Sequence, residues 1–299
     1  MVRLLRSYAA SGAWRADGVA LASGALLPFA FAPFGFFPLA VLSPAVLFLL
    51  WRGCPPRLAA WRGLLYGLGH FGVGGSWIYV SMHTYGGMPP PLAAVIVVVF
   101  ISYLASYVSL LGWLQARIFP LAEEQRLLWV LPALWTLVEW LRGWLFSGFT
   151  WLQLGYSQID APLKGFAPWL GAYGVTYATA LSAGLLALAW HKRKQRRAFV
   201  LALASVAGLW MLGAVALQIP WTEPLDKPLR VALVQGNVDI REKWLSANRD
   251  AIADRYLQLG FARDDIDLAI WPESAIPAYR DELEDEFLPL VKSLAAARN

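Results

Sequence analysis

Up to Pro220, the apolar residues of this chain come in long uncharged runs rather than in short amphipathic stripes. No Asp, Glu, Lys or Arg interrupts Gly18–Trp51, Gly63–Ala116, Gly165–Trp190 or Ala198–Thr222. A charge near mid-bilayer costs several kcal/mol, and a helix needs roughly 20 apolar residues to cross the hydrocarbon core. These runs therefore predict membrane spans. Gly63–Ala116 is long enough for two, broken at Gly86-Gly87-Met88-Pro89-Pro90-Pro91, and the third and fourth runs hold one each. Leu127–Phe149 adds another, interrupted by Glu139 and Arg142.

Gly18–Trp51 is long for one span and short for two, and orientation decides between them. Basic residues favour the cytoplasmic side. They cluster at Arg3/Arg6/Arg15, Arg52/Arg57/Arg62, Arg117/Arg126 and Lys192–Arg197, whereas the alternate connections hold only Arg142 and Lys164. Keeping both the N-terminus and the Arg52 cluster inside requires a hairpin at Phe31-Ala32-Pro33-Phe34-Gly35. The result is about seven spans in residues 1–219, with the N-terminus inside and everything after Pro220 outside. Arg3 and Arg6 match the basic region of a signal peptide, but an apolar span follows without a processing break, so the segment is read as retained. The run His191–Arg197 lies between two apolar spans and reads as a topology anchor rather than a nucleic-acid site.

After Pro220 the pattern shortens. Leu229–Gln235 reads as a buried strand ended by Gly236-Asn237. Trp244–Leu259 places Leu245, Ile252, Tyr256 and Leu259 on one helical face. Asp267–Trp271 is a second strand, stopped by Pro272. Arg280–Ala297 is a second amphipathic helix, acidic in its first turns and ending in Lys292 and Arg298, as the helix dipole favours. Strand–helix–strand–helix implies an α/β sheet. Residues 220–299 are too few to cover both faces of one, so the segment is expected to be the start of a larger domain.

Composition sharpens this division. The chain is 58% hydrophobic and 15% charged, against about half and about a quarter for soluble domains. The net charge of +5 conceals a body of 15 basic and 5 acidic residues up to residue 219 (net +10) and a tail of 10 and 15 (net −5). Of 25 glycines 23 precede Pro220, as do 13 of 16 tryptophans; small residues let membrane helices approach and Trp favours the interfacial belt. A single cysteine, Cys54, excludes a disulfide framework, a cysteine zinc site and an iron–sulfur cluster.

Among candidate chemical groups, Glu273 follows the second tail strand directly, where open α/β sheets place their ligands; the alternative is a solvated turn carboxylate. Glu139 and Arg142 share a helical face one turn apart, either as a functional pair at membrane depth or as charges that hold the following loop. His70 and His83 lack metal-ligand spacing and read as packing residues. Cys54 falls in the cytoplasmic Arg52–Arg62 loop and is incidental to chemistry on the other side.

Several strings carry more than this. Phe31-Ala32-Pro33-Phe34-Gly35, Gly72–Ser81, Glu139-Trp140-Leu141-Arg142-Gly143-Trp144, Gly148–Gln158, Val234-Gln235-Gly236-Asn237 and Trp271–Pro277 occur in that order. Together they resemble the bacterial apolipoprotein N-acyltransferase family of the nitrilase superfamily. The resemblance implies an α-helical membrane bundle of about seven spans. It is followed by the start of an α/β nitrilase-like (α-β-β-α sandwich) domain in the periplasm, the whole sitting in the bacterial inner membrane. The implied activity moves an acyl chain from a phospholipid donor to the α-amine of the diacylglyceryl-cysteine of an apolipoprotein acceptor, through a thioester and without a cofactor. Glu273 matches the Glu of a Glu–Lys–Cys triad, and Trp244 matches a tryptophan tied to substrate handling. Trp151 and Tyr156, in the Arg142–Lys164 connection, are expected to line or gate lipid entry; a packed loop without substrate contact is the alternative.

The family's nucleophilic Cys and triad Lys are not assignable here. Lys292 comes too early, Cys54 is the only cysteine, and an eighth span is missing. The chain is accordingly expected to be the N-terminal portion of a longer enzyme and inactive alone. Two other classes remain open at this stage, a membrane-tethered nitrilase-type amidase and a non-catalytic transporter or scaffold.

Overall fold

The computed structural model describes residues 13–119, 121–224 and 227–297. The basic residues Arg3, Arg6 and Arg298 lie outside that range. The chain divides into two compact units, with the boundary between Trp221 and Thr222.

The first unit is helical. Its main helices are α1 (Ala13–Leu26), α2 (Leu39–Leu50), α3 (Pro56–Gly74), α4 (Pro90–Arg117), α5 (Leu131–Arg142), α6 (Ala167–His191) and α7 (Arg196–Ala216). Prolines open α3 and α4, where the missing N–H is one that no helix would have bonded. Among the described residues, three helical stretches are long and apolar enough to cross a membrane: α4, Pro162–His191 (a 3-10 turn running into α6), and α7. Of the last, only 11% of the apolar window is buried within the fold, so most of its surface faces outward.

Helix α3 is central, packing on α1 and α4, while α6 contacts α2, α5 and α7. Glycines permit the closest approaches. A Cβ on Gly67 would lie 2.6 Å from Ala105 Cα of α4, and one on Gly63 would overlap the Val108 carbonyl. The core is aromatic where α2, α3 and α5 converge: the Trp135 ring meets Phe48 at 5.9 Å and Tyr66 at 6.1 Å, both edge-on. Ser43 Oγ donates to Ser23 O at 2.7 Å and lies 2.6 Å from Tyr66 Oη, knitting α1, α2 and α3.

The first uncharged run is broken where the hairpin was expected. Helix α1 runs into a 3-10 turn, Leu27–Ala30, and α2 begins at Leu39. In the second run α3 stops at Gly74; short turns, Trp77–Val80 and Ser81–Tyr85, precede the Gly86–Pro91 break. One expected span is shorter than its sequence pattern. Leu127–Phe149 is apolar apart from Glu139 and Arg142, yet the helix ends at Arg142. Gly143 to Thr150 forms a loop with Phe146, Ser147 and Gly148 all at positive φ. Gly148, at φ +77°, also sits against the Gly143 carbonyl, where a Cβ would overlap.

In the second unit, β1 (Val231–Leu233) pairs in parallel with β2 (Leu268–Ile270), in the register Val231↔Leu268 and Leu233↔Ile270. Helix α8 (Arg249–Gly260) is the crossover, and α9 (Phe287–Ala296) follows. The expectation of a buried strand at Leu229–Gln235 is corrected. Side chains alternate along a strand, and among the described residues only one face is covered. Val234 joins Ile252, Tyr256 and Ala275 in a small core, whereas Leu233 is 77% exposed.

Both amphipathic segments are also shorter than read. Leu245 lies outside α8, because Asn248 Nδ2 bonds the Glu242 carbonyl at 3.1 Å and folds 240–248 into separate turns. The Arg280–Ala297 segment breaks at Glu284–Glu286. Pro289 disallows a continuous helix there, since its ring would meet the carbonyl four residues back.

Candidate functional site

The end of α5 carries two buried ionisable side chains, Glu139 at 7% and Arg142 at 3% exposure. Among the described residues no ion pair joins them; each turns to the loop that follows. Glu139 Oε1 accepts from Trp135 Nε1 at 3.0 Å and from the Leu154 amide at 2.9 Å. Its Oε2 accepts from Thr176 Oγ1 of α6 at 2.9 Å, and that hydroxyl in turn accepts from the Gly155 amide at 2.9 Å. Arg142 Nη1 donates to the carbonyls of Phe149 and Trp151, the latter at 2.8 Å, and its guanidinium lies 5.2 Å above the Phe71 ring. The loop is thus held on both sides of Leu152, itself at φ +60°.

That loop forms one wall of an apolar cavity of about 600 Å³. Thr150, Trp151, Leu152, Tyr156 and Ile159 face Pro28, Phe29, Phe31, Ala32, Pro33 and Phe34 of the α1–α2 connection, with Val73, Gly74 and Trp77 between them. The Trp77 and Trp151 rings meet at 5.6 Å, and Phe29 and Phe34 at 5.0 Å. A compartment of this size, walled by aromatic and aliphatic groups, suits a hydrocarbon chain.

His70, His83 and Cys54 sit in packing and backbone contacts. His70 is buried between Phe71 (4.6 Å) and Phe31 (6.4 Å). His83 Nδ1 bonds the Met88 carbonyl at 2.9 Å and closes the Gly86 turn. Cys54 Sγ donates to Leu50 O and receives Arg62 Nη1, both at 3.1 Å. Burial pushes its thiol up from the ordinary range, away from reactive thiolate. In the basic run, Lys192 pairs with Glu124 at 2.6 Å and Arg193 stacks on Trp190 at 5.0 Å.

In the second unit, Glu273 stands exposed in a turn three residues beyond β2. The turn is closed by Ala275 N donating to Pro272 O at 3.2 Å, with Ser274 at φ +53°. Trp271 anchors it from below, packed on Tyr256 (5.5 Å) and Phe287 (6.3 Å). A cavity of about 220 Å³ opens at the carboxyl ends of the two strands, lined by Leu233, Val234, Gln235, Ile270, Trp271 and Pro272. Trp244 is not among its walls; its exposed indole lies 5.8 Å from Lys243 Nζ.

Residues 23–185 match the family model of the apolipoprotein N-acyltransferase N-terminal domain. The chain belongs to that family. It is 44% identical over 271 residues to the apolipoprotein N-acyltransferase of Methylococcus capsulatus, covering 90% of this chain and 53% of the relative. The Pseudomonas putida enzyme of that name is 43% identical over 293 residues (96% and 57%), and that of Vibrio parahaemolyticus 40% over 277 (92% and 54%). The chain spans about half the length of the curated relatives it matches. The family model covers Glu139, Arg142 and the whole cavity wall; Trp244 and Glu273 lie beyond its range, within the longer similarity to the Pseudomonas putida relative.

Trp151 and Tyr156, singled out from sequence, come together on one cavity. Thr176 and the Leu154 and Gly155 amides carried no sequence signal, because their roles arise only where α6 meets the loop. The aromatic wall at Phe29–Phe34 was visible as a motif but not as a lining.

Proposed function

We propose that this chain works within an enzyme that transfers an acyl chain from phospholipid to the α-amine of an apolipoprotein's N-terminal diacylglyceryl-cysteine. The observation that carries the reading is the aromatic 600 Å³ cavity, with Trp151 and Tyr156 in its wall, in a member of this family. In this reading α1 to α7 are seven spans of the bacterial inner membrane, the N-terminus is cytoplasmic, and residues after 220 begin a periplasmic nitrilase-like domain. The cavity receives the acyl chain of the donor from the outer leaflet.

The chemistry assigned to Glu273 is proton transfer. As base it takes the proton of a cysteine thiol; the thiolate attacks the phospholipid ester, and the lysophospholipid alkoxide leaves with the proton that Glu273 returns. The acceptor amine then attacks the thioester, Glu273 takes its proton, and amide and thiol are formed. No residue of this chain is assigned as that cysteine or as its lysine partner. Trp244, exposed and flanked by Lys243, is assigned to substrate handling.

The test is made on an enzyme carrying this chain together with the family's cysteine and lysine, in phospholipid vesicles with a labelled acyl group. A thioester-linked acyl-enzyme that passes its label to a diacylglyceryl peptide, and is lost in Glu273→Gln, is the expected result. Hydrolysis of small amides without thioester would instead assign an amidase, and label transfer undiminished in Glu273→Gln would remove that residue from the mechanism.

A further inference from the structure

Glu139 and Arg142 are expensive to bury, and a span needing only to pack would carry apolar residues there. Nor do they neutralise each other within ion-pair distance. Every hydrogen bond that Arg142 makes, and one of the three to Glu139, is spent on loop backbone: the carbonyls of Phe149 and Trp151, and the amide of Leu154. Thr176 extends the grip to the Gly155 amide. The loop needs holding, since Phe146, Ser147 and Leu152 all take the left-handed conformation that side chains disfavour. Leu152 sits between the two anchors and faces Gly74 in the cavity wall, while Trp151, whose carbonyl Arg142 holds, carries its ring to Trp77.

We propose that Glu139 and Arg142 are positioning residues for lipid: they shape the acyl-chain cavity by clamping the backbone on either side of Leu152, without touching the chain themselves. This rests on reading the cavity as a lipid site. A loop released from the clamp would lower affinity for donor equally in ground and transition states, raising KM while leaving kcat nearly unchanged.

The experiment uses the full chain in nanodiscs containing a phospholipid with a diazirine in its acyl chain. Labelling of peptide 150–159 is measured by mass spectrometry relative to the outward face of α4 at Val98 and Val99, both exposed. In Arg142→Met, which keeps an apolar side chain of similar length, the ratio should fall about tenfold, the scale of one lost charged hydrogen-bond set. Arg142→Lys, which restores donors, should recover most of it. Thr176→Val, a same-shape change that frees the Gly155 amide, should lower the ratio about threefold and serves where Arg142→Met does not fold. Ratios equal to wild type in both Arg142→Met and Thr176→Val would overturn the clamp while leaving the lipid site standing. Parallel loss at the loop and at α4 would also overturn it, as general unfolding. Absence of label at 150–159 in the wild-type chain would overturn the lipid reading and the clamp together.

Discussion

The indole rings of Trp77 and Trp151 meet edge to face, their centroids 5.6 Å apart and their planes at 60°. They join the segment after α3 to the loop after α5, elements more than seventy residues apart in sequence, and form part of the wall of the 600 Å³ cavity.

Such aromatic pairs contribute about 0.5–1.5 kcal/mol beyond the area they bury. A double-mutant cycle on Trp77→Ala and Trp151→Ala, read as phospholipid affinity or as unfolding in detergent, should return a coupling in that range. Strict additivity would mean that the two rings act independently and do not form a single rim.

Glycines of α3 differ sharply in what a methyl group would meet. Gly67→Ala would press on Ala105 Cα from 2.6 Å, and overpacking of this kind costs about 1–3 kcal/mol. At Gly72 nothing lies within 4 Å, so Gly72→Ala should be neutral or stabilising by up to about 1 kcal/mol through helix propensity. Unfolding of both variants in mixed micelles checks the order, and equal effects would contradict the close α3–α4 approach.

At the α1–α2–α3 junction, Ser43 donates to the Ser23 carbonyl and therefore accepts from Tyr66. Tyr66→Phe removes one donor and should cost about 0.5–1.5 kcal/mol. Ser43→Ala leaves the Tyr66 hydroxyl buried without its acceptor, at about 1–3 kcal/mol. The predicted ranking is Ser43→Ala worse than Tyr66→Phe, measured by the same unfolding assay; the reverse order would show that another group satisfies Tyr66.

Asp239 caps the turn Ile240–Lys243 by accepting from the Arg241 amide, and it pairs with the Arg241 guanidinium at 2.9 Å. The side-chain hydrogen bonds from Arg241, then its backbone amide, hold the carboxyl down at about 2. Because the folded value lies below the unfolded one of about 3.9, the stabilisation is present above the unfolded value. It disappears as pH falls from there through the folded value. Carbon-detected NMR should place the Asp239 midpoint near 2 and Arg241→Ala should move it up toward the ordinary aspartate range. A midpoint indifferent to Arg241 would exclude this pairing in solution.

Much of the first unit was legible because membrane-type segments advertise themselves by what they exclude: a run without charge is visible whatever it packs against. The hairpin at Phe31–Gly35 was readable from loop charge and Pro/Gly chemistry. The length of α5 was not, because Trp144, Leu145, Phe146 and Phe149 are as apolar as a span requires. It is Arg142, reaching forward to two carbonyls, that closes the chain into a loop instead. In the tail the short apolar runs, ended by Gly236-Asn237 and Pro272, located both strands, but not that Leu233 faces outward, since burial of a strand face depends on what lies over it.

The amino-acid sequence by itself determined the two-part organisation, the apolar helical body and the family, because composition, charge placement and ordered motifs are properties of the chain before it folds. Only the tertiary structure decided that Glu139 and Arg142 hydrogen-bond the backbone of the loop after α5 without forming an ion pair within 4 Å, and that Trp151 and Tyr156 share a cavity with Phe29–Phe34. Those relationships join residues far apart in sequence through hydrogen bonds from backbone amides and carbonyls, groups that every residue carries and no sequence pattern distinguishes.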